Sequence, residues 1–450
     1  MVVFRASPSR HPDGTSREVL RLAVPAFLAL VAEPLFLLAD SAIVGRLGTV
    51  QLAGLGVASA ALATTAGVFV FLAYGTTASV SRRAGAGDLL GALRLGVDGV
   101  WLAVLIGLAA ATTLILLAQP IADAFGASGP ATDQAVTYLR ISGIGVPAML
   151  VVMAATGVLR GLQDTRTPLV VAVAGFSLNI VLNVVLVYGL DLGIGGSALG
   201  TVIAQTAMAL SLVAVIVHAL HRQHGKALAL VLRPHPGGVL AAARDGVPLL
   251  VRTLALRAVL LLTTWVAASG GDVTLAAYQV SATIWTFLVF ALDALAIAAQ
   301  ALTGYALGAG DVERARRLTA LMVRWGVGCG VVLGLVVLAL HQVLPVLFTE
   351  DPLVRRALAA ALVVVAVQQP LSGFVFVLDG VLIGAGDGRW LAVAAIAQLV
   401  LYVPVVVLMQ AADVATSGLW WGFGAFMLAR GLLLGWRARG DRWAVAGATR

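Results

Sequence analysis

Apolar runs of roughly 20 residues, each long enough to cross about 30 Å of hydrocarbon, recur along the whole chain between short polar breaks. About twelve are expected to be transmembrane helices. They cover 19–44, 52–79, 95–118, 134–157, 168–189 and 197–220, then 247–268, 275–304, 318–341, 357–378, 390–410 and 417–436. The breaks alternate in charge. Arg collects at the amino end, at Arg82, Arg83 and Arg94, at Arg160 and Arg166, from Arg222 to Arg244, at Arg314, Arg316 and Arg317, at Arg389 and at the carboxyl end. The intervening breaks hold mainly Asp123, Asp133, Asp191, Asp272, Glu350, Asp351 and Asp413. Arg-rich breaks face the cytoplasm, which places both termini inside.

The pattern repeats. Pro25 and Pro248 stand 223 positions apart (248 − 25), and the same offset carries Gly85-Ala-Gly-Asp88 onto Gly308-Ala-Gly-Asp311 and Pro147 onto Pro370. It also carries Val158–Asp164 onto Val381–Asp387. A single ungapped offset is the mark of a duplication. With an even number of spans per half the repeats are parallel, related by an axis along the membrane normal. The fold class is therefore an all-α polytopic membrane protein of two six-helix repeats. Its expected organisation is a cytoplasmic amino-terminal segment 1–18, a first lobe 19–220, a linker 221–243, a second lobe 244–437 and a cytoplasmic tail 438–450. The twice-used Gly-Ala-Gly-Asp ends a span, where glycine caps a helix.

Composition agrees with this reading: the chain is 60% hydrophobic and 11% charged, with mean hydropathy +1.01. A net charge of +8 spread over short breaks reads as membrane topology rather than as a nucleic-acid surface. The single Cys329 excludes an internal disulfide. His218, His221 and His224 lack an acid or Cys to complete a metal set, so the linker is read as solvated and basic and no metal is expected. No Gly-x-x-x-x-Gly-Lys-Ser/Thr occurs, which removes the common nucleotide loop. With Ala, Gly, Val and Arg abundant and Lys226 the lone lysine, a GC-rich bacterial genome and a bacterial inner membrane are expected.

Ionisable groups inside the spans carry the candidate chemistry. Glu33 and Asp40 lie seven apart in the first span, on one helical face with roughly 10 Å of rise between them. Pro34 between them should kink or loosen the helix near 30–34. A carboxylate at membrane depth is a functional hypothesis by default. Counted from the nearer break, Asp40, Asn179, Asn183, Thr201 and Tyr138 share the outer half of the first lobe, so one polar cluster is expected. Arg140, at a similar level, either holds Asp40 in an ion pair or snorkels to the surface. In the second lobe Asp40 maps onto Thr263, and the acids come with bases: Arg257 with Asp293 near mid-membrane, and Arg252 with Asp379 nearer the cytoplasm. Two ion pairs or one network fit these levels, in a structural role, which leaves the first lobe as the better proton site.

The run Glu33–Gly48, with Leu292–Gln300 and Leu378–Gly386, resembles the multidrug and toxic compound extrusion (MATE) family in its DNA-damage-inducible protein F (DinF) branch, over about Arg17 to Arg439. The resemblance implies two lobes forming a V, a cavity opening alternately to either side, and export of organic, often cationic or apolar compounds against inward proton or sodium flow. It also implies that Asp40 is the coupling acid, with Asn179, Thr201 and Tyr138 as polar partners. Asn183 departs from relatives with a second Asp there, which weighs against sodium. Expected partners are small organic substrates and the bilayer, with a monomer and no cofactor beyond the coupling ion. Cavity walls would draw on Phe36, Met153, Trp265 and Trp285. The rivals are a flippase for lipid-linked saccharides, which would want a basic cavity, and a membrane-embedded enzyme, for which the breaks are too short to hold a catalytic set.

Overall fold

The structure, a computed structural model, describes residues 12–126, 129–224 and 232–449. Among them are helices and connecting turns without strands, and twelve helical stretches are long and apolar enough to span a membrane. The first lobe holds α1 (Pro12–Gly45), α2 (Thr49–Phe69), α3 (Phe71–Gly85), α4 (Leu89–Leu116), α5 (Ala118–Ala124), α6 (Pro130–Gly161), α7 (Arg166–Val184) and α8 (Gly193–His224). The second holds α9 (Pro236–Ser269), α10 (Asp272–Gly308), α11 (Val312–Leu340), α12 (Leu344–Phe348), α13 (Pro352–Gly384), α14 (Gly388–Ala411) and α15 (Thr416–Arg439). Lys226, the side chain of His224 and much of the expected linker lie outside the described residues.

Two features depart from the apolar pattern. The second span is two helices, α2 and α3, joined at Val70, whereas its repeat α10 runs unbroken. The offset of 223 places Val70 opposite Asp293, so the duplicated helices differ at mid-span. Short α5 and α12, also related by the repeat, follow the third span of each half. Conversely, α1 stays one continuous helix through both Pro25 and Pro34, so the expected loosening at 30–34 does not interrupt it. A proline inside a helix removes one backbone bond, which a packed helix absorbs without ending.

The Gly-Ala-Gly-Asp sequences do more than cap. Gly87 and Gly310 take φ of +79° and +78°, the left-handed turn that only glycine adopts without strain. Asp88 and Asp311 then accept the amide protons of Gly91 and Arg314, both at 2.8 Å, starting α4 and α11. The first glycine of each set joins the lobes: a Cβ on Gly85 would run into the Tyr305 carbonyl, and one on Gly308 into the carbonyl of Arg82. Gly304 meets Ser81 one turn away, so α3 and α10 cross through small residues four apart, as close-packed membrane helices do.

Other bonds reinforce this crossing at the Arg-rich end. Gln300 Nε2 donates to the Tyr74 carbonyl at 2.6 Å, Arg82 Nη1 to the Ala385 carbonyl at 3.0 Å, and Arg314 pairs with Glu18 at 3.1 Å. The carboxyl-terminal segment also docks here: Trp443 is fully buried, and Arg82 Nη2 donates to the Val445 carbonyl at 2.8 Å. The lobes are thus sealed on the Arg-rich side. A Gly308→Val change should weaken the seal by about 1–3 kcal/mol, shifting an open–closed equilibrium roughly 5- to 150-fold. The check is thiol labelling from the Arg-rich side of Ile297→Cys in a Cys329→Ser background, where the glycine variant should label faster.

Candidate functional site

Asp40, near the end of α1, is 2% exposed. Asn183 Nδ2 and Ser197 Oγ donate to its Oδ1 at 2.7 and 2.6 Å, and Tyr138 Oη donates to Oδ2 at 3.4 Å. Asn183, Ser197 and Tyr138 come from α7, α8 and α6, so one carboxylate ties α1 to three helices of its lobe. Asn179, one turn deeper on α7, does not reach Asp40. Its Nδ2 donates to Thr201 Oγ1 at 3.0 Å, and Thr201 and Ser197 lie within reach of the Tyr138 hydroxyl. Helix α8 approaches closely because residue 200 is glycine, whose Cβ would strike Asn183 Oδ1. The five residues expected to cluster are therefore brought together.

Ser197 was missed from the sequence. It sits four residues before Thr201, hence on the same face, and that spacing was the available signal. Arg140 is exposed and makes no pair with Asp40, leaving the surface as its place. Glu33 stands apart from this cluster. Its spacing from Asp40 is that of one face, yet Glu33 is exposed and has no hydrogen bond or ion pair among the described residues. What differs is the covering: α7 and α8 close over Asp40 through Asn183 and Ser197 but supply no partner at the level of Glu33 and Pro34.

In the second lobe the equivalent site is neutral. Thr263, opposite Asp40 by the repeat, shares a hydrogen bond of 2.7 Å with the hydroxyl of Tyr402, which stands opposite Asn179. The acids and bases lie deeper, around a cavity of about 190 Å³ between the lobes. Arg252 pairs with Asp379, its Nε 3.1 Å from Oδ1, and Arg430 Nη2 lies 3.1 Å from Oδ2 of the same acid. Arg430 also sits 5.7 Å from the ring centre of Phe376. The expected pairing of Arg257 with Asp293 is not formed: both line the cavity, and no ion pair within 4 Å joins them. Arg257 instead lies across Gly67 of α2, while Asp293 is in electrostatic range of Arg160, Arg252 and Arg430. Arg430 is not among the residues expected here, although a lone Arg inside an apolar span is a signal by itself.

A second cavity of about 380 Å³ adjoins the first through Leu260, Trp285 and Phe423 and continues along α9 and α10 away from the Arg-rich end. Of the four expected wall residues only Trp285 lines these cavities. Phe36 stacks on Phe176 at 5.0 Å within the first lobe, Met153 packs against the core, and Trp265 is 52% exposed on the outside of α9. Side-chain type marks apolar surface but not which side of a helix meets a given cavity, and these three line neither of the two. Among the described residues no group of His, Cys, Asp and Glu is arranged to hold a metal ion.

Two helical repeats that close on one face around a shared cavity, with a polar cluster buried in one lobe, are the architecture of a membrane transporter. The chain belongs to the MatE family, whose model matches it twice, over residues 25–185 and 248–408 and so at the same offset of 223. It is 31% identical over 433 residues to Protein DETOXIFICATION 44, chloroplastic, of Arabidopsis thaliana, covering 93% of this chain and 81% of that one. To DNA damage-inducible protein F of Escherichia coli it is 30% identical, covering 96% and 95%. A solved MOP superfamily transporter from Pyrococcus furiosus shares the fold with a TM-score of 0.84 at 22% identity, over 94% of this chain and 95% of that one.

Proposed function

We propose that this transporter is a proton-coupled exporter of small organic compounds, working by alternating access in a bacterial inner membrane with both termini cytoplasmic. The observation that carries the reading is the carboxylate of Asp40, which holds α1 to α6, α7 and α8 and, among the described residues, forms no ion pair. The Arg-rich breaks support the orientation, and relatives of the chain are named as multidrug resistance and detoxification proteins. With the Arg-rich end inside, the seal there makes the present conformation closed to the cytoplasm.

The chemistry follows from the two carboxylate oxygens. Oδ1 accepts both short bonds, while Oδ2 meets only the longer one from Tyr138, so Oδ2 is the oxygen that takes a proton. Once protonated it donates to Tyr138 Oη, reversing that bond. Loss of the charge weakens the bonds from Asn183 and Ser197, since charge-assisted hydrogen bonds are roughly twice as strong as neutral ones. Helix α1 is then freer to move against α7 and α8, with Pro34 as its weakest point. Proton entry at Asp40 thus relaxes one lobe, which releases substrate outward and allows the return stroke.

Sodium is the second reading, and one observation favours it. Asn179 Oδ1 and Asn183 Oδ1 are buried acceptors without a hydrogen bond, the kind of oxygen a hard cation uses. A single carboxylate among them favours the proton. The two readings separate in proteoliposomes under an imposed pH gradient: export in sodium-free buffer supports the proton, and a strict sodium requirement replaces it. Thr263→Val removes only the neutral pair of the second lobe, a loss of about 1 kcal/mol of packing, and should leave pH-driven export nearly unchanged in the same assay.

A further inference from the structure

We infer that the cavity between the lobes takes an amphipathic organic anion, with its acid group on Arg257 and its apolar body against the aromatic wall of the second lobe. The inference rests on the exporter reading and names the class of its substrate.

Arg252, Arg257 and Arg430 line the cavity against two acids, Asp293 and Asp379. Asp379 is committed to Arg252 and Arg430. Asp293 lies in the field of Arg252, Arg430 and Arg160, the last at the end of α6 behind the cavity. One guanidinium therefore has no acid of its own, and the cavity lining carries an excess of positive charge. A cation entering it would meet that excess, whereas an anion would balance it.

Geometry singles out Arg257. It is exposed into the cavity, and among the described residues it has no hydrogen bond or ion pair. Its head group lies over Gly67 so closely that any side chain there would displace it, which sets the guanidinium across the gap between the lobes. The repeat places Pro34 opposite Arg257, so the residue is not part of the shared scaffold. A charge at membrane depth without a partner is costly, and a planar fork of donors is matched by carboxylate, sulfonate or phosphate oxygens.

The rest of the site supplies the apolar contact. Trp285 and Phe423 stand 5.3 Å apart edge to face, and both belong to the small cavity and to its larger neighbour. An acid group at Arg257 thus sits within the smaller cavity while a ring-sized body extends past Trp285 into the larger one.

Lipid-borne and soluble anions share this chemistry, and the test separates them. Binding to the full chain in nanodiscs is measured by calorimetry for naphthalene-2-sulfonate and for its cationic twin, naphthalen-2-yl-trimethylammonium. The sulfonate should bind the wild type at least about tenfold more tightly, and Arg257→Gln should weaken it about 10- to 100-fold, the worth of hydrogen bonds to a charged group. Arg257→Lys keeps the charge and should retain the preference for the sulfonate, which separates a lost contact from a damaged fold. Equal or tighter binding of the ammonium twin by the wild type, or an unchanged sulfonate affinity in a folded Arg257→Gln, overturns the inference.

Proteoliposomes then identify the source. Export of the sulfonate supports a soluble anion, and movement of a fluorescent lysophosphatidic acid alone supports a lipid-borne one. Because binding is read without a gradient, cation export with no sulfonate binding overturns the substrate class while the exporter reading stands. Sulfonate binding without any export supports the anion site and counts against the exporter.

Discussion

Asp40→Asn should reduce pH-gradient-driven export to the level of protein-free vesicles while leaving the protein folded. Asparagine keeps the shape and the acceptor oxygen of the acid, so Asn183 and Ser197 retain a partner through the weaker, neutral bonds of the protonated state, and the fold of the lobe is kept. Only the charge that a proton can remove is lost. The substitution therefore mimics the protonated state permanently, and a cycle that alternates between charged and neutral Asp40 has no second state to visit. Downhill exchange of substrate should persist in this variant, because that partial reaction needs no net proton movement. Measuring both activities on one preparation, with size-exclusion behaviour as the folding control, makes the comparison; pH-driven export at wild-type rates would remove Asp40 from the coupling step.

Asp379→Ala should be the most destabilising single change in the second lobe. Asp379, Arg252 and Arg430 are 6%, 7% and 6% exposed, and the acid is the partner of both guanidinium groups. Breaking a buried ion pair from one side leaves its charge uncompensated, at a cost of about 3–5 kcal/mol, and here two like charges would also face each other. Thermal unfolding in detergent should show the loss. Adding Arg252→Gln to Asp379→Ala removes one of the two stranded charges, so the double variant should recover part of it, a non-additivity expected for residues that share one network. Equal stability of Asp379→Ala and wild type would mean that the triad is solvated and carries little of the fold.

Much of this architecture is legible in the chain because the membrane permits so few solutions. Spans follow from apolar length, and the parallel repeat follows from one constant offset that Pro25, Gly85, Pro147 and Val158 each obey. The polar cluster of the first lobe is readable by depth, since Asp40, Asn183 and Thr201 each lie a countable distance from the same face. Depth says nothing of azimuth, and the misreadings share that cause. Glu33 and Asp40 occupy one face of α1 but meet different neighbours, and Arg257 and Asp293 share a level without touching. Trp265 and Trp285 are chemically alike, yet one is turned out of the bundle and the other into the cavity. The break at Val70 falls inside one continuous apolar run, 52–79, between Phe69 and Phe71 and with no Gly or Pro at the junction to mark it.

The central claim is that protons move against substrate through Asp40, and proton flux is its most direct measure. Proteoliposomes containing a trapped pH dye, in sodium-free buffer, would be given an outward gradient of a transported substrate and no imposed pH gradient. The account predicts acidification of the lumen as substrate leaves, present in wild type, absent in Asp40→Asn and unaffected by Thr263→Val. Substrate efflux with no change in luminal pH, or acidification that persists in Asp40→Asn, would contradict it.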